Sequence, residues 1–204
     1  MKEIHKRIIS GLVYICIMWF CTYYSKYSFH TLFLIIFFIS LYEMKKLRIN
    51  KSVLLPYIII ITPFLTIHLI DREVILFMFI LTWTFDSFAY ITGVNFGDNK
   101  INTHISPNKS WEGLSGGALF TVISALIIIN FNIIDINSMT LNKLYFLTIL
   151  LPFTASLGDF TISYFKRQAN VKDTGTVIPG HGGILDRFDA FLITIPLIYI
   201  LTKI

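Results

Sequence analysis

Apolar runs recur along the whole chain, most of them close to the roughly 17–25 residues that cross a hydrocarbon core as a helix. Seven can be delimited, at 8–23, 29–42, 53–70, 74–91, 113–131, 144–165 and 188–202. The second is short, the length of a tilted or partial helix. Pro56, Pro63, Pro152 and Pro196 fall inside runs, where neighbouring helices can satisfy the backbone groups that proline leaves unpaired. No internal repeat, low-complexity tract or Pro/Gly linker divides the chain. No polar stretch exceeds about twenty residues, too few for an independent core. The pattern predicts one membrane-embedded domain over 1–204, all-α, a polytopic integral membrane protein of about seven transmembrane helices.

Composition agrees. Hydrophobic residues make up 55% of the 204 and charged residues 14%, with a mean hydropathy of +0.70; soluble domains carry roughly a quarter charged residues. The net charge of +5 is no nucleic-acid footprint, because most basic residues lie in short loops, where they report orientation. Segments 1–7, 43–52, 92–112 and 166–187 hold 13 of the 17 Lys and Arg, against Lys26, Arg72, Lys143 and Lys203 on the other side. This bias puts the N-terminus and both long polar loops in the cytoplasm. An odd number of spans puts the C-terminus outside. The expected location is the cell (inner or plasma) membrane, multi-pass. Cys16 and Cys21 are five apart, without a CxxC spacing or further cysteines to complete a metal set, and read as small apolar fillers. The N-terminus superficially resembles a signal peptide, but no small-residue cleavage site follows and more spans come after it, so an uncleaved first helix is expected.

Segment 163–189, SYFKRQANVKDTGTVIPGHGGILDRFD, departs from this pattern. Asp159, Ser163 and Lys166 are spaced i, i+4, i+7 and share one helical face. Asp186 and Asp189, spaced i, i+3, share a face where the last span begins. Three carboxylates can thus converge from two neighbouring helices. Such oxygen donors suit a hard cation such as Mg²⁺, which keeps waters and substrate phosphates as its other ligands. Between the helices lie Gly175, Gly180, Gly182 and Gly183, whose bare backbone lets N–H groups approach an anion. Lys166, Arg167, Lys172 and Arg187 add positive charge. Acids for a metal, with cations and backbone for phosphate, describe a nucleotide or phosphoryl-transfer site. A solvated loop that only enforces topology explains Lys166 and Arg167 well, but not Asp186 and Asp189 beside Gly-His-Gly-Gly.

Other polar residues have plainer readings. His181 invites a general-base role, yet reads better as a turn histidine bonded to a carboxylate or backbone. His5, His30, His68 and His104 have no recognisable partners, and Asp173 is expected to pair with Lys172. Asp86 lies about two turns before its loop, where a carboxylate can snorkel to the surface. In the loop at 92–112, Pro107 sets a turn and Ser110 is placed to cap the next helix. Gly113, Gly116 and Gly117 suit close helix packing. Lys109 is balanced between a phosphate contact and a topology marker.

At these residues the chain resembles the phosphatidate cytidylyltransferase (CDP-diacylglycerol synthase) family. Ser163, Lys166, Arg167, Lys172, Asp173, His181, Gly182, Gly183, Asp186, Arg187 and Asp189 fill that family's C-terminal signature, eleven positions over 27 residues without a gap. A second similar block runs from Asp86-Ser-Phe-Ala-Tyr90 through Phe96-Gly97 and Ser106-Pro107 to Trp111-Glu112-Gly113. The resemblance covers roughly 80–204, the catalytic half, with 1–79 supplying N-terminal spans. It implies transfer of CMP from CTP to phosphatidate, giving CDP-diacylglycerol and pyrophosphate for phospholipid biosynthesis. It maps metal ligands onto Asp159, Asp186 and Asp189, with Mg²⁺ and a second, monovalent cation (K⁺) beside it. Ser163 and Lys166 join the catalytic set, with Lys109, Arg167, Lys172, His181, Gly182, Gly183 and Arg187 toward phosphate and substrate. The implied partners are CTP, phosphatidate and the lipid bilayer; a homodimer is left open. Asn108 and Ser110 stand where the family commonly has Lys and Thr, and the first half is compact for the family.

Two rival readings stand beside this one. Another CTP-dependent membrane enzyme, a prenyl-alcohol kinase or a CDP-archaeol-type synthase, shares the polytopic body but not the Lys-Arg to Asp-Arg-Phe-Asp pattern. A transporter predicts internal repeats and acids deep in several spans.

Overall fold

The computed structural model describes residues 2–47, 54–180 and 182–204. Eight helices and one small hairpin are present among them: α1 (Lys2–Tyr24), α2 (Lys26–Lys46), α3 (Leu54–Ile67), α4 (Arg72–Phe96), β1 (Lys100–Asn102), β2 (Ser106–Ser110), α5 (Trp111–Asn130), α6 (Leu141–Gln168), α7 (Leu185–Phe188) and α8 (Phe191–Lys203). Four helices, α2, α4, α5 and α6, are long and apolar enough to cross a membrane, and Ile9–Tyr24, Leu54–Ile67 and Phe191–Lys203 are shorter apolar helical stretches. The all-α polytopic membrane class holds. The second span is longer than its apolar run implied: Ser25 caps it through a reciprocal bond with Ser28, and it continues through 21 residues to Lys46.

Segment 92–112 is not a plain loop: α4 continues to Phe96, and residues 100–110 form an antiparallel hairpin in which Lys100 pairs with Ser110 and Asn102 with Ser106. Polar three- to five-residue strands carry too little alternation to be seen in a sequence. Ser110 caps α5 as expected, accepting a hydrogen bond from the Gly113 N–H at 3.1 Å. The α4–α5 pair crosses where Gly116 and Gly117 lie against Thr92, Phe85 and Ala89; a Cβ at either glycine would come within 3 Å of those side chains. The small-residue packing reading of this stretch is what the structure has.

Charge is segregated along the bundle. Arg72, at the start of α4, donates to the Thr22 and Tyr23 carbonyls at the C-terminal end of α1, where a cation satisfies unpaired helical carbonyls. His30 and His68 come together near that end, Nδ1 to Nδ1 at 2.7 Å, a partnership between residues 38 apart that sequence spacing does not reveal. The opposite end of the bundle gathers the C-terminus of α2, the hairpin, the end of α6 and the 169–184 loop.

A buried aromatic cluster stabilises that second end. Phe188 is fully buried and stacks on Phe64 at 4.7 Å, with Phe33 at 5.9 Å and Phe191 at 5.3 Å. It lies between Asp186 and Asp189, so α2, α3 and α8 together lock the segment that presents both acids. Phe188→Ala is expected to cost about 3–5 kcal/mol, as for a large aromatic removed from a packed core. Thermal unfolding of the detergent-purified variant checks this.

Candidate active site

Helix α6 delivers the first group of residues. Its predicted face is real: the Ser163 hydroxyl donates to Asp159 Oδ1 at 3.1 Å, and Lys166 lies one turn on. The helix stops at Ala169 because Asn170 takes a left-handed conformation (φ 55°). The Asn170 N–H then bonds the Arg167 carbonyl and the Val171 N–H the Lys166 carbonyl, a pair of bonds that satisfies the last turn. The chain is thereby sent back across the end of the bundle as a loop, in which Ile178 and Gly182 form an isolated bridge.

The second group comes from α7. Asp186 lies in this short helix and Asp189 caps it, and right-handed helical angles continue through Asp189 (φ −58°, ψ −44°) and Ala190 (φ −58°, ψ −26°) into α8. The apolar pattern starts the last span at 188. It instead begins at Phe191, with the two acids on the turn before it. Their shared face survives because the helical path is continued.

The two groups meet at Gly158. A Cβ there would run into the Asp189 carbonyl, so α6 and the α7–α8 junction cross at backbone contact, immediately beside Asp159. Gly158→Ala is expected to push Asp159 and Asp189 apart at an overpacking cost of about 1–3 kcal/mol. Turnover should fall further than the unfolding temperature implies; equal, small changes in both would contradict it.

Asp86, Asp159, Lys166, Asp173, Asp186, Arg187 and Asp189 line one cavity of about 290 Å³. Asp186 is buried and fully engaged. Its Oδ1 accepts from Lys166 Nζ at 2.7 Å, and its Oδ2 from the Thr174 N–H (2.8 Å), the Thr174 hydroxyl (3.0 Å) and the Gly183 N–H (3.0 Å). Asp159 Oδ2 pairs with Lys109 Nζ at 2.6 Å, and that ammonium also lies 4.6 Å from the centroid of the Phe160 ring. Asp189 Oδ1 accepts from the Ala190 N–H at 2.8 Å.

The donor set fits a hard cation. Five carboxylates and no cysteine or described histidine line the cavity. Among the described residues no three acids stand close enough to hold one ion between them. Mg²⁺ is commonly held by one or two protein carboxylates, with waters and substrate phosphates completing its octahedron.

The remaining sequence-predicted residues are distributed as follows. Gly182 takes φ 87°, and a Cβ on it would approach Asp186 Oδ2 to 2.8 Å; only glycine allows that turn without strain. The Gly183 N–H is spent on Asp186. Arg167 is exposed and ties α6 to the hairpin through the Ile105 carbonyl at 3.3 Å. Lys172 is exposed, and the pairing expected between it and Asp173 is not among the ion pairs of the described residues; Asp173 faces the cavity instead. Arg187 is exposed at the rim. His181 lies outside the described residues.

Two acids were under-read in the sequence. In the sequence Asp86 reads as a snorkelling residue, yet it borders the carboxylate cavity and two others. In the sequence Glu43 belongs to the basic segment 43–52. It is 1% exposed and accepts from the Thr174 hydroxyl, the Ile184 N–H and the Leu185 N–H at 2.9–3.0 Å. The one sequence signal was an acid closing an apolar run just before Lys45 and Lys46.

An apolar cavity of about 250 Å³ joins the site from the side. Tyr14, Met18 and Trp19 of α1, Phe79 and Trp83 of α4, and Phe191 contribute its walls, and it shares Asp86, Asp186, Arg187 and Asp189 with the carboxylate cavity.

Residues 52–204 match the model of the cytidylyltransferase family. The chain is 32% identical to the phosphatidate cytidylyltransferase of Rickettsia felis, with 98% of this chain and 93% of that protein covered. The Rickettsia typhi protein of the same name is 35% identical, over 97% and 91%. The Staphylococcus saprophyticus protein of that name is 46% identical, but over 62% of this chain and 48% of its own length. The compact first half is therefore matched along its length in the rickettsial proteins.

Proposed function

The chain belongs to the cytidylyltransferase family, and from that membership and the site geometry we propose that it transfers CMP from CTP to phosphatidate, yielding CDP-diacylglycerol and pyrophosphate. The single observation that carries the lipid half of this reading is the joining of two cavities. An apolar slot between α1 and α4 shares Asp86, Asp186, Arg187 and Asp189 with a carboxylate- and lysine-lined chamber. A diacyl substrate needs that arrangement, with acyl chains among Trp19, Phe79 and Trp83 and its phosphate beside Lys166 and Arg187.

The chemistry requires little acid–base help. The second pKa of a phosphate monoester is about 6, so the phosphatidate oxygen is already ionised near neutrality. It attacks the α-phosphorus of CTP, a new P–O bond forms, and the bond from that phosphorus to the β-bridging oxygen breaks, releasing pyrophosphate. The obstacle is repulsion between two polyanions. Lys166 and Arg187 line the chamber. Lys109 and Lys166 are fixed on Asp159 and Asp186, so their ammonium groups are held in place before substrate arrives, which favours the transition state over a mobile arrangement. One or two of the Asp159, Asp186 and Asp189 carboxylates would hold Mg²⁺, with waters and substrate phosphates as its other ligands, and the ion would supply charge neutralisation on phosphate oxygens.

The protein functions in the cell membrane with this chamber facing the cytoplasm, a reading supported by Lys45, Lys46, Lys109, Lys166, Arg167, Lys172 and Arg187 gathering at the site end of the bundle. The test is pyrophosphate release by the purified protein with CTP and Mg²⁺, given either phosphatidate or a prenyl alcohol. Release is expected with phosphatidate only. Formation of CDP and a prenyl phosphate would overturn the assignment in favour of a lipid kinase.

A further inference from the structure

We propose that Glu43, from the first half of the chain, is the positioning residue of the carboxylate site: it sets the place of Asp186 through Thr174 and the Gly183–Leu185 turn. The proposal rests on the metal-dependent cytidylyltransfer reading above. It adds to that reading a residue at the end of α2, outside the signature segment.

Three observations carry it. First, Glu43 is buried, and what it accepts are donors of one short region: the Thr174 hydroxyl on Oε2 at 2.9 Å, the Ile184 N–H on Oε1 at 3.0 Å and the Leu185 N–H on Oε2 at 2.9 Å. No lysine or arginine pairs with it among the described residues. A buried carboxylate held only by such bonds is costly unless every bond is made, so the turn is drawn onto it. Second, Thr174 connects it to the site. The one hydroxyl lies within hydrogen-bond distance of both Glu43 Oε2 and Asp186 Oδ2, while the Thr174 N–H is committed to Asp186. The hydroxyl proton serves one carboxylate at a time, which couples the two side chains. Third, two glycines make room for Glu43. A Cβ on Gly175 would lie 2.5 Å from Glu43 Oε1, and one on Gly183 would run into Glu43 Oε2 and the Thr174 hydroxyl. Glycine at 175 and 183 is thus required by the approach of Glu43, whatever else those residues do.

Glu43 lines none of the three cavities around the site. It acts by holding Asp186 where Lys166 and the cavity need it, and its loss should appear as weaker metal binding. Residues that orient metal ligands typically account for 10–100-fold in affinity.

The experiment uses the full chain, purified in detergent, with Mn²⁺ as a paramagnetic probe. Binding is read by electron paramagnetic resonance without substrate, alongside thermal unfolding and the Mg²⁺ dependence of turnover. Glu43→Gln preserves shape but offers an amide N–H₂ to a region of donors. Thr174→Val removes only the bridging hydroxyl. Glu43→Gln is expected to weaken Mn²⁺ binding at least tenfold and to raise the Mg²⁺ concentration for half-maximal rate similarly, while Thr174→Val shifts both in the same direction by less. If Glu43→Gln does not fold, Thr174→Val decides: a weakened Mn²⁺ affinity supports the proposal, and wild-type affinity overturns it. Wild-type affinity in both variants also overturns it while leaving the metal reading intact. Absence of Mn²⁺ binding by the wild-type protein overturns the metal reading and the proposal together.

Discussion

Asp186→Asn is expected to lower CDP-diacylglycerol formation by about 10³-fold, on the order of 4 kcal/mol of transition-state stabilisation. Asp186 accepts four hydrogen bonds, one from an ammonium and three from the Thr174–Gly183 region. An asparagine has one oxygen. If its oxygen stays toward Thr174 and Gly183, its amide N–H₂ confronts Lys166. If it turns round, the amide confronts two backbone N–H groups. Either way the negative charge that balances Lys166 is lost, and the cavity loses one of its carboxylates. Product formation by the purified variant, normalised to folded protein, measures this. Synthesis near the wild-type rate would remove Asp186 from the site.

Removing the other half of the pair should be nearly as severe, for a different reason. The side chains of Lys166 and Asp186 are 12% and 4% exposed and 2.7 Å apart. Lys166→Met strands a buried carboxylate. Removing one partner of a buried pair typically costs about 3–5 kcal/mol, so lower stability should accompany the loss of activity. The double variant Lys166→Met/Asp186→Asn separates the two effects. Without a stranded charge, its unfolding temperature should recover above that of Lys166→Met alone, a coupling that neighbouring residues commonly show. Its activity should not recover, because both phosphate-side charge and carboxylate are gone. If the double variant is as unstable as the sum of the singles, the pair is not coupled as the geometry indicates.

The legible and illegible parts of this site divide by the range of the interactions. The Asp159–Ser163–Lys166 face and the Asp186–Asp189 face followed from helical spacing alone, because i, i+3 and i, i+4 neighbours meet on any helix. The Ser110 cap was likewise written locally, as was the suitability of Gly116 and Gly117 for close packing, though not the helix they pack on. Asp86 was visible as an acid in an apolar run, but its place at the junction of three cavities depends on α1, α4, α6 and α7 meeting around it. Glu43 was invisible as a site residue. Its partners lie 131–142 positions away, and in the sequence it only opens the basic segment 43–52.

The stretch 163–189 was therefore overcharged for a membrane loop for reasons the sequence could state only in part. By itself the sequence determined the membrane class, the helical faces, the charge bias between the two sides and the residue types suited to a metal and phosphates. These depend on hydrophobicity, periodicity and composition. The tertiary structure decided that Gly158 brings Asp159 to Asp189, that Lys109 from the hairpin pairs with Asp159, and that an apolar slot borders the carboxylates. It also decided that the glycines at 175 and 183 make room for a glutamate from α2. Each of these is a contact between segments far apart in the chain, set by how the helices pack, and no local pattern encodes it.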